Sequence, residues 1–126
     1  MNKDEVTLLY GFKDEERLSQ IIYALSEIHI KTKILKDSDY NEKLGFLLGL
    51  KGFKQSNNTE EIFSGEEIMI FQNIKGKRLD SALEKFKESG LTITKNKAIV
   101  TPFNVHWTIK KIHEKMLEHQ NVTSKN

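Results

Sequence analysis

The segment Ile68-Met69-Ile70-Phe71 constrains the fold more than any other stretch of this chain. Successive side chains of a strand point to opposite faces, so four consecutive large apolar residues need cover on both sides. The segment therefore predicts a central strand of a sheet sandwiched between helices. The flanking sequence supplies those helices. Leu18, Ile21, Ile22, Leu25 and Ile28 recur at helical spacing after Asp14, an N-cap residue, with Glu15 and Glu16 in the first turn, where the helix dipole favours negative charge. A second amphipathic stretch starts at about Lys77 with Leu79, Ala82, Leu83 and Phe86 on one face. Ser89-Gly90-Leu91 then fits a glycine stop followed by an apolar residue.

Further strands are predicted at Val6–Tyr10, ending at Gly11, at about Ile30–Lys36, and at Ala98-Ile99-Val100. In the second of these, Ile30, Thr32 and Ile34 alternate with Lys31 and Lys33, the pattern of an edge strand with lysines facing outward. Asp39 or Asn41 can cap a short helix carrying Leu44, Phe46, Leu47 and Leu48, which Gly49 ends. Thr101-Pro102 reads as the N-cap and first position of a last helix, with Val105, Ile109, Ile112 and Met116 as its core stripe. The resulting order is β-α-β-short α-β-α-β-α. It predicts a single small α/β domain with a four-stranded, mostly parallel sheet, strands 1 and 3 in the centre and helices on both faces. The competing architecture is a ferredoxin-like α+β sandwich. The domain spans 1–126, with a core of about 5–119, a polar mobile loop at 54–66 and a frayed tail at 120–126. No internal repeat or low-complexity tract is visible.

Composition removes whole classes of function. The chain has no cysteine, which excludes disulfide scaffolds, zinc–cysteine fingers, iron–sulfur sites and thiol nucleophiles. His106 and His113, seven apart on a helix, would lie about 10.5 Å apart along its axis, too far to share one ion. No metal and no cofactor is expected. Lysine and arginine number 20 against 18 acids, for a net charge of +2. Arg17 and Arg78 are the only arginines, so specific nucleic-acid reading is not expected. The charged start and the absence of a long apolar run predict a cytoplasmic protein without a membrane partner. P-loop, dinucleotide, nucleophile-elbow and kinase signatures are absent.

Three stretches resemble a known family: Leu8-Leu9-Tyr10-Gly11-Phe12, Leu44 to Phe53 with its spaced glycines, and Thr101-Pro102-Phe103-Asn104-Val105-His106-Trp107-Thr108. Together they look like a bacterial domain of unknown function, family 3783, recognised by Thr-Pro-x-Asn-x-x-Trp near its end. Thr101, Pro102, Asn104 and Trp107 match that pattern, and Lys51 stands where related sequences have a proline. The resemblance spans roughly residues 5–119 and implies no activity, cofactor or catalytic residue.

The candidate site follows from the topology. In a parallel sheet the turns at 11–14, 72–77 and 101–104 open at one edge, each leading into a helix N-terminus with unpaired N–H groups. Asn73, Lys77 and Arg78 add donors and positive charge there. On the last helix Phe103 and Trp107 fall off the core stripe, beside Thr101, Asn104 and His106. These residues predict a non-enzymatic binding module taking a small anionic ligand or a protein partner at the Thr101–Trp107 edge. Two alternatives stand beside it. One is a homodimer formed through an exposed Leu44, Phe46, Leu47, Leu50 and Phe53. The other is a small enzyme using Asn104 and His106.

Overall fold

The computed structural model describes residues 4–58, 60 and 64–124. Parts of the expected mobile loop at 54–66 and of the expected frayed tail lie outside the described residues. Four strands, β1 (Val6–Tyr10), β2 (Lys31–Ile34), β3 (Ile68–Gln72) and β4 (Lys97–Ile99), form one sheet in the order β2-β1-β3-β4. Helices α1 (Glu15–Glu27) and α3 (Lys77–Glu88) cover one face. The short α2 (Leu44–Leu47) and the long α4 (Ile109–Ser124) cover the other. This is the expected α/β sandwich. No helix among the described residues is long and apolar enough to cross a membrane.

Every residue of β3 is buried. Met69 and Phe71 pack with Leu9, Ile21, Leu25 and Phe86 beneath α1 and α3, while Ile68 and Ile70 pack with Leu8, Tyr10, Leu44 and Ile109 on the other face. Each such side chain removed from water contributes roughly 1.5–3 kcal/mol, which is why the central strand is apolar on both sides.

Two of the three strand pairings are parallel, β1 with β2 and β3 with β4, and the central pairing of β1 with β3 is antiparallel. That overturns one step of the sequence reasoning. The turn after β1 opens at the end of the sheet opposite to the turns after β3 and β4, so three helix N-termini do not converge.

The antiparallel centre has a further consequence. Its register is two-fold symmetric about the pair Leu8–Ile70, with Val6 opposite Gln72 and Tyr10 opposite Ile68. The flanking pairs repeat it: Leu8 faces Lys33 in the first half, and Ile70 faces Ala98 in the second. Each half is a β-α-β unit followed by a 3-10 turn and a helix. Gly11 and Asn73 leave the central strands with positive φ, 79° and 58°. Helices α1 and α3 end in the same six-residue stop. His29 and Ile30 donate to the carbonyls of Ser26 and Leu25, and Gly90 and Leu91 donate to those of Lys87 and Phe86. The halves meet again across α2 and α4, where Leu44 N–H donates to Trp107 O and Ile109 N–H donates to Glu42 O. The chain is thus built from two equivalent halves, a repeat not seen in the sequence.

The two arginines lock these halves reciprocally. Arg17 on α1 bonds Glu67, just before β3, and the carbonyl of Thr92 beyond α3. Arg78 on α3 grips Glu5, just before β1, with Nε at 2.8 Å and an Nη at 2.7 Å, and donates to Ile28 O at the end of α1. Each guanidinium holds the other half's entry strand and helix end together, which suits its planar fork.

Other boundaries moved for local reasons. Thr101-Pro102 does not open the last helix. Asn104–His106 form a 3-10 turn, and α4 begins at Ile109, where Thr108 Oγ1 accepts from Lys111 N–H at 3.1 Å. Val105 is therefore not on the α4 stripe. Ile34, expected on the inner face of β2, is exposed, because the chain turns inward only at the buried Leu35.

Candidate functional site

Thr101 and Asn104 form a reciprocal cap. Thr101 Oγ1 accepts from the N–H groups of Phe103 and Asn104, and Asn104 Oδ1 accepts from Thr101 N–H at 2.8 Å. Asn104 Nδ2 donates to Ile99 O at 2.9 Å. The carboxamide is buried, with its oxygen held by Thr101 and its nitrogen by Ile99. Trp107 is half-buried against the α2–α4 core, with the Lys111 ammonium 4.7 Å from its ring centre. Phe103 is 77% exposed. The two rings do not share a helix face, since neither lies in α4.

Asn73 and Arg78 serve the fold. Asn73 Nδ2 donates to Asp4 O at 3.0 Å, and Arg78 is held by Glu5 and Ile28. Lys77 is exposed at the first position of α3. None of the three faces the Thr101–Trp107 segment's cleft described next. Of the residues expected at an exposed interface, Leu44 and Leu47 are core residues, and Phe46, Leu50 and Phe53 are partly buried. The segment is therefore not an exposed apolar strip.

His106 does open on a cleft. About 640 Å³ of space lies between the turn following α2 and the junction of the two halves, lined among others by Asn41, Glu42, Lys43, Lys51, Phe53, Lys54, Ser56, His106 and Thr108. Asn41 and His106 hold equivalent places in the two 3-10 turns, as do Lys43 and Thr108 in the bridge that joins the halves. The cleft thus borders the bridge that joins the halves.

Its wall is fixed from below. The ring of Phe53 rests on Gly45 of α2, where a Cβ would come within 2.5 Å of it, and its centre lies 5.3 Å from that of His106. A glycine inside a helix is unfavourable by roughly 0.5–1 kcal/mol relative to alanine, and the seated ring explains its presence. Lys43, Lys51 and Lys54 are exposed and form no ion pair among the described residues. Of these residues, His106 and Phe53 stood out in the sequence as site residues, and Asn41, Lys43, Lys51, Lys54 and Ser56 did not. The lysines flanking Gly52-Phe53 were the available signal.

A second, apolar groove of about 470 Å³ runs beside β4, lined by Phe71, Leu79, Leu83, Ile99 and Thr101. Away from both clefts lies a polar chain that is buried at Tyr40, Asn96 and His113. Tyr40 Oη and His113 Nδ1 are 2.8 Å apart, and His113 Nε2 lies 2.9 Å from Glu66 Oε1. Glu66 Oε2 accepts from Asn96 Nδ2, and Asn96 Oδ1 accepts from Gln120 Nε2. Burial holds the phenols of Tyr10 and Tyr40 above the usual tyrosine range. With His113 itself buried, this chain ties α4 to the first 3-10 turn and to the residues before β3.

The class defined by fold and cleft is a small α/β domain with helices on both sheet faces. Residues 67–121 match the family model described as Domain of unknown function (DUF3783), and over that stretch, from the start of β3 into α4, the family resemblance holds. No curated protein and no solved structure shows a significant match to the chain.

Proposed function

We propose that this chain is a binding module whose cleft at His106 takes a small anionic ligand. The carrying observation is the convergence of Lys43, Lys51 and Lys54, none in an ion pair among the described residues, on one concave space beside His106. A cleft of this size suits a small molecule better than a flat protein face. Unpaired ammonium groups around a concave wall raise the local potential for an anion, and low-dielectric walls strengthen it. The Asn41, Gln55 and Ser56 side chains add polar contacts that would orient a bound group. Asn104, bonded to Thr101 and Ile99, does not line this cleft.

Calorimetric titration with inorganic phosphate tests it. The double variant Lys51→Ala/Lys54→Ala alters only exposed side chains, so the fold stays intact. Binding to the variant is expected to be weaker by about ten-fold and to lose most of its salt dependence. Equal binding by wild type and variant would show that the anion sits elsewhere.

A further inference from the structure

Glu42 sits in the wall between the His106 cleft and a neighbouring cleft lined by Lys33, Ser38 and Phe46. Its residue is only 6% exposed. Buried carboxylates are normally matched by a cation or by several donors, because desolvating the charge is costly. Among the described residues Glu42 has a single donor: Ser56 N–H, 2.8 Å from Oε1. With the described residues it forms no ion pair, and its Oε2 accepts no hydrogen bond from them. Neither is Oε2 sealed off, for the one enclosed side-chain atom lacking a partner among the described residues is Thr7 Oγ1. Glu42 thus lines, with one carboxylate oxygen unused by any described residue, a cleft whose lysine side chains, Lys43, Lys51 and Lys54, are positive.

A simple anion satisfies the lysines and is repelled by Glu42. A ligand carrying an ammonium group as well satisfies both, since an ammonium offers three donors to the free carboxylate oxygen. Three lysines against one carboxylate leave the lining with excess positive charge, so the matching ligand has more negative than positive groups. We infer that the cleft takes an acidic α-amino acid, its ammonium on Glu42 and its carboxylates on the lysines beside His106. This rests on the anion reading above and names the ligand class.

L-Glutamate and glutarate differ only by the ammonium group, and calorimetric titration of the full chain with each isolates its effect. L-Glutamate is expected to bind wild type at least about ten-fold more tightly. The variant Glu42→Gln keeps an acceptor for Ser56 N–H, and in it the two diacids are expected to bind alike. Glutarate binding wild type as tightly as L-glutamate overturns the inference, as does a preference that survives in Glu42→Gln. The wild-type comparison decides even if the variant does not fold. Binding of phosphate or glutarate without a preference for L-glutamate sinks this inference alone. Absence of all three sinks the anion reading with it.

Discussion

Asp39 and Asn104 do the same work in the two halves of the chain. Each side-chain oxygen accepts the backbone N–H three residues before it, from Lys36 at 2.9 Å and from Thr101 at 2.8 Å, and each is buried. Both thereby fix the 3-10 turn that carries the chain from an edge strand to the opposite face of the sheet. Asn104→Ala leaves Thr101 N–H and Ile99 O without partners and is expected to cost about 2 kcal/mol. Asn104→Asp restores the acceptor for Thr101 alone, so it should recover only part of the loss. Urea denaturation of the two variants checks the order.

The equivalence of these two residues was illegible in the sequence. It lives in strand register, turn geometry and hydrogen-bond direction, which many side chains satisfy. Asp replaces Asn, His29 replaces Gly90 and Gly11 replaces Asn73, so the halves share function without sharing letters. Two-sided burial of β3 and the glycine stop of α3 were legible because they depend on local composition. The direction of β1 against β3 was not, because it is set by the long connection between β2 and β3, whose polar residues specify no direction. Thr101-Pro102 misled for a related reason: a cap motif predicts that a helical turn starts, not that it continues into α4. The burial of Glu42 was invisible because one acid in a polar stretch looks exposed until the fold buries it.

His29 holds φ at 62°, where its equivalent is Gly90 at 70°. A non-glycine residue there is strained by roughly 1–2 kcal/mol, partly offset by the lower chain entropy it brings to the unfolded state. His29→Gly is expected to stabilise the protein by about 0.5–1 kcal/mol. Gly90→Ala should destabilise it by a similar amount. Thermal unfolding of both variants reads the opposite signs.

Thr7 lies at the centre of the sheet with its hydroxyl buried and without a partner among the described residues. Thr7→Val removes that group at nearly constant shape. Relief of the unpaired hydroxyl is expected to raise stability by about 1 kcal/mol. A loss on substitution would mean that the hydroxyl is satisfied in solution.

Stability should fall at both ends of the pH range. The Arg78 guanidinium bonded to Glu5 holds that carboxyl below its usual value of 4.5. A lowered carboxyl contributes stability above the unfolded value and loses it as pH falls through the folded one. Acid destabilisation beginning near pH 4.5 is therefore expected to be blunted in Glu5→Gln. The raised phenols of Tyr10 and Tyr40 act in the opposite sense. Their contribution is complete below the usual value of 10.0 and is lost as pH rises through the folded value. Tyr40→Phe should flatten the alkaline limb while costing about 1–3 kcal/mol near neutrality, because His113 Nδ1 loses its partner. Denaturation midpoints across pH compare the variants with wild type.

If the cleft beside His106 is the binding site, backbone amide NMR during titration with inorganic phosphate maps the anion onto it. Saturable shifts confined to residues 41–43, 51–57 and 106–108 are the predicted result. Saturable shifts centred instead on Lys75–Arg78, or no saturable shift anywhere, would contradict it.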